Sequence, residues 1–422
     1  MTVLLLAGAL VLLILVSKLA RSLAKSRAGP ALTACLAVAF AVAMVFYPAA
    51  AFESAVKGLH VWWNIVFPAL LPFFIGSEIL IGFGVVHFMG VLLEPVMRPV
   101  FNVPGSGSFV MAVGLASGFP IGSVLTARLR REGMCSKTEA ERLMSFTNTA
   151  DPLFMSGAVA VGIFGRPDVA GIIMVAHYLS SLSVGVVLRF YARGADRSDP
   201  GARHRQLLSR AFRAMLEARQ KDGRPFGRLL GDAVRNSVNT LLLIGGFVII
   251  FSVIIRMLSM VGAVAVISQA LGALLAPCGV DAGVLPALVS GLFEVTLGCQ
   301  MAGQSAAPLV QRVMIAGAVI GWSGLSVHAQ VAAIVQGTDI NLAPYIIARI
   351  LHGILAGLYT VLLMSETAMT SVARVIPIPA TMGPAGIAWW AAKSMLAIAL
   401  VLTLLPALWH LPKACSVFRL RR

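Results

Sequence analysis

Two hydrophobic blocks of this sequence, about 175 positions apart, share one plan: a spanning helix, a hairpin interrupted by glycine and serine, and an interrupted spanning helix. The first block covers about residues 68–187, and its hairpin is interrupted at 117–122. The second covers about residues 240–364, with its hairpin interrupted at 291–298. Paired interruptions at corresponding places in two halves are typical of carriers that bind their substrate at the membrane midplane. The sequence therefore predicts a membrane transporter.

The composition indicates an all-α polytopic membrane protein. Of the 422 residues, 59% are hydrophobic and 12% are charged, whereas about a quarter of the residues in a soluble domain are charged. The net charge of +16 comes from basic residues that lie between apolar segments, where they determine topology. We therefore expect the lipid bilayer, and not a nucleic acid, as a partner.

The positions of lysine and arginine predict the orientation. The basic segments at 128–142, 189–235 and 413–422 should lie in the cytoplasm, and the nearly neutral turn at 165–168 should lie outside. The apolar segment 1–16 has no basic residue ahead of it, so we expect a retained helix and not a cleaved signal peptide. The first hairpin then enters from the cytoplasm and the second from outside, which makes the two blocks an inverted repeat.

We predict about nine spanning helices, two re-entrant hairpins and two interfacial helices. The predicted spans are at about residues 1–16, 31–51, 67–86, 142–164, 169–188, from 237 onward, 310–335, 344–364 and 385–408. The interfacial helices are predicted at about residues 53–66 and 92–100, and the hairpins at about 106–129 and 281–307.

The interruptions of the hairpins are the first candidate binding elements. Backbone groups without helical partners are costly in hydrocarbon, so irregular backbone survives only inside protein or beside water. Helix N-termini at such a turn suit a substrate carboxylate or phosphate. Close packing of small residues is the alternative explanation. The predicted substrate-binding residues of the first hairpin are Ser117, Gly118, Phe119 and Gly122.

Polar residues also interrupt the spanning helix after each hairpin. In the first block the interruption contains Asp151, and an acid within a span is expensive and normally faces a cavity or a partner. Asp151 could bind substrate or a cation, or it could cap a helix near the interface. The candidate substrate-binding residues of the two interruptions are Asn148, Thr149 and Asp151 in the first block and Trp322, Ser323, Ser326 and His328 in the second.

Glu294 in the second hairpin, with Thr296 beside it, is the other candidate acid. Asp151 and Glu294 are therefore the candidate sites for a coupling ion, either H⁺ on a buried carboxylate or Na⁺ by coordination. Arg349 could neutralise an anionic substrate, or it could pair with an acid or a carbonyl. His328 could be a ligand, a proton site or a satisfied interior histidine.

Several classes of chemistry have no sequence support. The chain has no GxxxxGK[ST] loop, no HExxH and no GxSxG. Its five cysteines are scattered, which suggests neither a zinc site nor a disulfide framework. We therefore expect no enzyme activity, no catalytic residue, no cofactor and no metal.

Several short motifs resemble the sporulation integral membrane protein of the YlbJ type. They are WWN at 62–64, LPFF at 71–74, LLEP at 92–95, GFPIG at 118–122, LTARLRREG at 125–133, EAERL at 139–143 and SFTN at 145–148. The resemblance covers about residues 58–363. Each block also resembles the nucleoside-recognition, or gate, domain shared with concentrative nucleoside transporters. The second block has no counterpart of the SFTN motif.

The resemblance implies a role in endospore formation, in the outer membrane around the forespore. The family is associated with formation of the spore cortex and with movement of dipicolinic acid from the mother cell toward the spore. Dipicolinate is a small planar dianion, which Arg349 and the two hairpin tips could hold while Trp322 or Phe119 faces its ring. The resemblance thus implies a secondary carrier for a small anion, with dipicolinate as the expected substrate.

Two alternatives stay open. The gate resemblance alone also implies a nucleoside carrier. A membrane scaffold without transport activity is the alternative of another class, in which the basic link docks an acidic partner or anionic lipid. A homo-oligomer is compatible with each. The predicted organisation is two N-terminal spans in 1–57, a first gate-type repeat in 58–190, a basic cytoplasmic link in 191–236, an inverted second gate-type repeat in 237–365, and a last span with a basic tail in 366–422.

Overall fold

The structure, a computed structural model, describes residues 28–152, 154–192 and 207–364, and every regular element in these ranges is helical. The helices before the basic link are α1 (Ala28–Phe46), α2 (Pro48–Val61), α3 (Phe67–Gly82), α4 (Val85–Phe101), α5 (Gly107–Ser117), α6 (Ile121–Arg131), α7 (Lys137–Thr147) and α8 (Ala170–Leu188). The later ones are α9 (Leu207–Asp222), α10 (Phe226–Met260), α11 (Ala263–Leu275), α12 (Leu285–Phe293), α13 (Val295–Gln304), α14 (Leu309–Trp322), α15 (Gly324–Ile334) and α16 (Leu342–Leu363). Two further segments, Trp62–Val66 and Phe154–Ile163, are π-helical.

The described helices confirm an all-α polytopic membrane protein. Four of them are long and apolar enough to cross a membrane: Pro167–Leu188, Phe226–Met260, Leu309–Ile334 and Leu342–Leu363. Two sharply bent helix pairs in the first half raise the number of candidate spans within the described ranges to six. The predicted spans at 1–16 and 385–408 lie outside the described residues.

One prediction for the first half is wrong in detail. Residues 53–66, predicted as a separate interfacial helix, belong to one uninterrupted helical stretch that continues through the π-helical turn into α3. This stretch packs along α10, where Gly58 leaves so little space that a Cβ atom there would lie 2.9 Å from Ser252 Oγ. Trp62 Nε1 also donates to the Leu241 carbonyl oxygen at 2.9 Å. The tight glycine contact and this bond hold the stretch against α10.

The two halves repeat one order of elements. The stretch α2–α3 corresponds to α10, α4 to α11, the hairpin α5–α6 to the hairpin α12–α13, and α8 to α16. In each half, the helix between the hairpin and the last helix is broken. Its two parts are α7 and Phe154–Ile163 in the first half, and α14 and α15 in the second. Left-handed glycines stand at equivalent joints before α4 and α11, Gly84 at φ +79° and Gly262 at φ +75°. The predicted repeat is therefore present in the structure.

The two hairpins open toward opposite ends of the molecule. The open end of the first hairpin contacts the α15–α16 connection, since Arg130 binds Asp339 through two bonds of 2.8 Å. The open end of the second hairpin contacts the far end of the first broken helix, because Gly303 packs directly on Ile163. The first broken helix runs from the first of these ends to the other, so the structure agrees with the inverted orientation predicted from charge.

Candidate functional site

The first hairpin turns at Gly118, whose φ of +81° favours glycine, and at the cis peptide bond between Phe119 and Pro120. The turn packs against the point where α7 ends. A Cβ atom on Gly122 would lie 2.4 Å from the Thr147 carbonyl oxygen, and one on Gly114 would lie 2.3 Å from the same atom. The glycines therefore bring the hairpin backbone into contact with the interrupted helix.

Asp151 lies in the interruption of the first broken helix and touches the hairpin tip. Its Oδ1 atom accepts a hydrogen bond of 2.8 Å from the Phe154 N–H, at the start of the π-helical segment. Its Oδ2 atom lies 2.7 Å from the position that a Cβ atom on Gly118 would occupy. The carboxylate thus caps the second half of the helix, as the capping alternative expected, and also faces the hairpin turn.

Glu294 holds the equivalent turn of the second hairpin. It has an extended backbone between α12 and α13, and its carboxylate accepts a hydrogen bond of 2.7 Å from the Leu297 N–H. Thr296 follows directly in the first turn of α13. Gly324, in the second broken helix, approaches this turn so closely that a Cβ atom there would lie 2.9 Å from the Phe293 carbonyl oxygen.

The second broken helix is interrupted at Ser323 and Gly324, which have φ values of +72° and +77°. Trp322 Nε1 donates to the Leu292 carbonyl oxygen in the hairpin at 2.9 Å. The Trp322 and His328 rings lie with their centroids 4.1 Å apart, and His328 Nδ1 is 2.7 Å from the Gly324 carbonyl oxygen. The interruption therefore carries an indole and an imidazole side by side.

Tyr345 on α16 joins the two interruptions. Its hydroxyl accepts a hydrogen bond of 2.8 Å from Asn148 Nδ2, and its ring centroid lies 5.3 Å from that of His328. Ser323, in the second interruption, donates to the Trp322 carbonyl oxygen at 2.5 Å. Tyr345 therefore contacts both broken helices, although Asn148 and Tyr345 are 197 residues apart in the sequence. Tyr345 was not among the predicted site residues.

Arg349, one turn further along α16, is fully buried beside Tyr345. Its guanidinium donates to the carbonyl oxygens of Asn148 at 2.7 Å and Ser145 at 3.0 Å. Interruption of a helix leaves such carbonyls without their usual partners. Arg349 thus stabilises the first interruption through carbonyls, which is one of the two roles considered for it, and it also places a positive charge at the junction.

His177 and Tyr178 on α8 support the first interruption from the other side. His177 Nε2 accepts from the Ala150 N–H at 3.0 Å, and the Tyr178 hydroxyl donates to the carbonyl oxygens of Leu115 and Ala150 at 3.0 and 3.2 Å. In the sequence, these two residues are recognisable only as a polar pair within an apolar helix. His177 also faces His352, 175 residues later, with ring centroids 4.5 Å apart.

Several buried polar atoms at this junction have no hydrogen-bond partner within the described ranges. They are Ser117 Oγ, Ser123 Oγ, Asn148 Oδ1 and His328 Nε2. Buried polar atoms in proteins nearly always have a partner, which is protein, water or ligand. The concentration of such atoms at the two interruptions indicates where a polar molecule could bind.

The structure places the predicted site residues in two groups that Tyr345 connects. The first group surrounds the first interruption and contains Ser117, Gly118, Gly122, Asn148, Thr149 and Asp151, with the Thr149 hydroxyl 3.2 Å from the Gly114 carbonyl oxygen. The second group contains Glu294, Thr296, Trp322, Ser323 and His328. Phe119 is half-buried and packs against both apolar cores, and Ser326 is buried in α15. Across the described chain, no group of three or more His, Cys, Asp or Glu residues could hold a metal ion.

Comparison with known proteins gives two kinds of match. The model of the Gate family, described as nucleoside recognition, matches residues 64–192. The sporulation integral membrane protein YlbJ of Bacillus subtilis is 47% identical over 76% of this chain and 79% of its own length. An uncharacterized protein of Alkalihalophilus pseudofirmus is 27% identical over 35% of this chain and 32% of its own. No solved structure matches significantly.

Proposed function

Because this chain belongs to the family of the sporulation integral membrane protein YlbJ, we propose that it is a secondary carrier for a small anion in the sporulating cell. The family and the gate domain indicate an integral membrane protein with a transporter-like role. The proposed substrate is dipicolinate, moved from the mother cell toward the forespore for cortex formation. The proposed location is the outer forespore membrane. The proposal includes no catalytic step and no cofactor.

The observation that carries this proposal is the meeting of two helix interruptions through Tyr345. Irregular backbone at membrane depth is tolerated only inside protein or beside a water-filled path. Here the freed groups are supported by Arg349 and by the two capping acids, while polar atoms of Ser117 and Asn148 lack partners among the described residues. Such an arrangement supports a binding site between two repeats that move against each other.

The charges at the junction favour transport coupled to a cation. Arg349 supplies one positive charge, but its guanidinium already donates to two carbonyls. Asp151 and Glu294 each place a carboxylate on a helix N-terminus. A dianion entering this site meets two like charges, which costs free energy unless a cation enters with it. We therefore propose H⁺ or Na⁺ as the coupling ion, with the two carboxylates as candidate sites.

Transport measurements on purified variants test the site. In proteoliposomes, Asp151→Asn and Glu294→Gln should each lower dipicolinate flux roughly tenfold or more, because a neutral amide cannot hold the coupling cation that offsets the charge of the dianion. Asp168→Asn is the matched control, since Asp168 pairs with Arg166 at the exposed start of the helix Pro167–Leu188, away from the interruptions. Normal flux in both site variants, with normal membrane insertion, contradicts the site assignment.

A nucleoside is the second candidate substrate. The Gate match favours it, and so does the Asn148 Oδ1 atom, which as an unpartnered acceptor suits a hydroxyl or amino group of the ligand. Competition assays separate the two substrates. Inhibition of labelled dipicolinate uptake by unlabelled dipicolinate but not by uridine supports the anion carrier, whereas saturable uridine uptake that dipicolinate does not inhibit supports the nucleoside carrier.

The scaffold alternative rests on the basic link. Helix α9 within it is docked on the membrane-embedded part of the chain, with the Phe212 and Phe88 rings 5.0 Å apart and Arg219 Cζ 5.3 Å from the Phe83 centroid. Replacement of the exposed arginine Arg213 and its basic neighbours by glutamine tests this role. If sporulation fails while dipicolinate flux persists, the scaffold is favoured. A change in topology or expression alone counts against it.

A further inference from the structure

At the junction, the His328 imidazole has one ring nitrogen without a hydrogen-bond partner among the described residues. His328 Nδ1 lies 2.7 Å from the Gly324 carbonyl oxygen. A carbonyl oxygen only accepts, so Nδ1 carries the hydrogen of the ring, and Nε2 of a neutral ring is a bare acceptor. Nε2 is buried without a partner within the described ranges, while the residue keeps 9% of its surface exposed.

Among the residues that the structure describes, Arg349 is the cation that lies close to His328. The Tyr345 ring centroid is 5.3 Å from that of His328 and 5.7 Å from Arg349 Cζ. The acid nearest in the second hairpin is Glu294, whose backbone contacts Gly324 at the start of α15, the helix that carries His328. The α10 residues in the same apolar cluster as α15, Leu241 and Ile244 among them, carry no charge. On α6, Arg131 binds the Ile334 carbonyl oxygen at the far end of α15.

We propose that Nε2 of His328 is the binding site of a coupling proton, and that this proton and a substrate carboxylate bind there together. The inference rests on the proposed carrier function and specifies its coupling ion. A neutral Nε2 atom cannot donate to a carboxylate, whereas a protonated one forms a charge-assisted hydrogen bond. The proton comes from the aqueous phase on the side of entry, forms only the Nε2–H bond, and leaves to the other side with the substrate.

Electrostatic linkage makes the two binding events cooperative. In the empty site, a proton on His328 and the Arg349 guanidinium are like charges that both lie near the Tyr345 ring, and they repel each other. A carboxylate bound near both groups is attracted by both. Substrate therefore favours the proton, and the proton favours the substrate to the same degree, as linkage requires. Cooperative binding of this kind prevents either ion from crossing alone.

The test uses full-length protein in proteoliposomes that contain a pH-sensitive dye, with labelled dipicolinate outside and only a pH gradient imposed. Wild-type protein should accumulate dipicolinate when the outside is acidic, and protons should enter with it. His328→Gln should lose this gradient-driven accumulation at least roughly tenfold. It should still exchange labelled for unlabelled dipicolinate, because an amide N–H near the former Nε2 position donates without taking a proton from solution. His60→Gln, at an exposed position on α2, is the matched control and should behave as wild type.

The outcomes separate this inference from the proposed function. Accumulation by His328→Gln equal to wild type overturns the inference, as does wild-type flux without proton entry. Loss of exchange in a folded His328→Gln protein also overturns the inference, because the amide N–H then fails to replace the protonated ring. Absence of dipicolinate flux in folded wild-type protein under every gradient contradicts the carrier proposal itself.

Discussion

At the residue scale, the two acids at the junction share one structural role. Asp151 and Glu294 each cap a helix that restarts inside the apolar core, and each faces a hairpin turn or its neighbour. The sequence identified both residues because acids are rare in spans. It could not identify Tyr345, since a tyrosine in an apolar helix is unremarkable until the fold brings it to Asn148.

The Tyr345 hydroxyl provides the sharpest test at this scale. Tyr345→Phe removes only the oxygen that accepts from Asn148 Nδ2, so the buried Asn148 amide loses this partner at a cost of about 1–3 kcal/mol. We expect a lower thermal midpoint in detergent and reduced dipicolinate flux. Tyr359→Phe is the matched control, because the Tyr359 hydroxyl bonds to the Ser183 hydroxyl, away from the interruptions. Equal effects of the two variants contradict a special role for Tyr345.

At the element scale, the two hairpins were predictable from the sequence, and the continuity of the stretch α2–α3 was not. Clusters of glycine, proline and serine limit the local backbone, so the breaks near Gly118 and Gly291 could be located from sequence. The continuous stretch α2–α3 depends instead on contacts with α10, such as that of Gly58 with Ser252. Such contacts between distant segments leave no local sequence signal, which is why residues 53–66 were predicted as a separate helix.

Close backbone packing predicts a strong effect of one methyl group. A Cβ atom on Gly122 would lie 2.4 Å from the Thr147 carbonyl oxygen and 2.6 Å from its carbon, and neither can move without shifting α7. Gly122→Ala should therefore destabilise the protein by about 1–3 kcal/mol. Gly231→Ala, on α10 with no atom within 4 Å of its new methyl group, should be neutral or stabilising by about 0.4–1 kcal/mol. Thermal unfolding of the two purified variants checks this, and a stable Gly122→Ala protein contradicts the described hairpin packing.

The Arg130–Asp339 pair predicts a pH dependence outside the spanning segments. Hydrogen bonds from Arg130 hold the pKa of Asp339 below its ordinary value. A lowered folded-state pKa stabilises the fold above the unfolded-state pKa, about 3.9 for Asp, and this contribution is lost as pH falls through the folded-state value. The effect should be small, because both side chains are partly exposed.

Thermal midpoints measured from neutral to acidic pH test this pair. Asp339→Asn and Arg130→Gln should each lower the midpoint slightly at neutral pH and flatten its decline in acid. The double variant should add little to either single change, since both remove the same interaction. Fully additive losses show that the two residues act independently.

At the scale of the whole molecule, charge distribution and repeat pattern together predicted the architecture. The basic segments fixed an inverted order of the halves, and the structure opens the two hairpins toward opposite ends. Sequence could not predict that α8 and α16 meet at positions one repeat apart, His177 with His352 and Ser183 with Tyr359. These contacts arise from packing between the repeats, and they form an interface between the two halves.

The proposed carrier moves dipicolinate across a membrane without a partner protein. Flux of labelled dipicolinate into proteoliposomes, with no gradient, a sodium gradient or a pH gradient, tests this proposal. We predict saturable uptake that liposomes without protein lack, driven by the pH gradient and indifferent to sodium. Absence of uptake under all three conditions, from protein that is monodisperse and correctly inserted, contradicts the account and favours a scaffold or one subunit of a larger assembly.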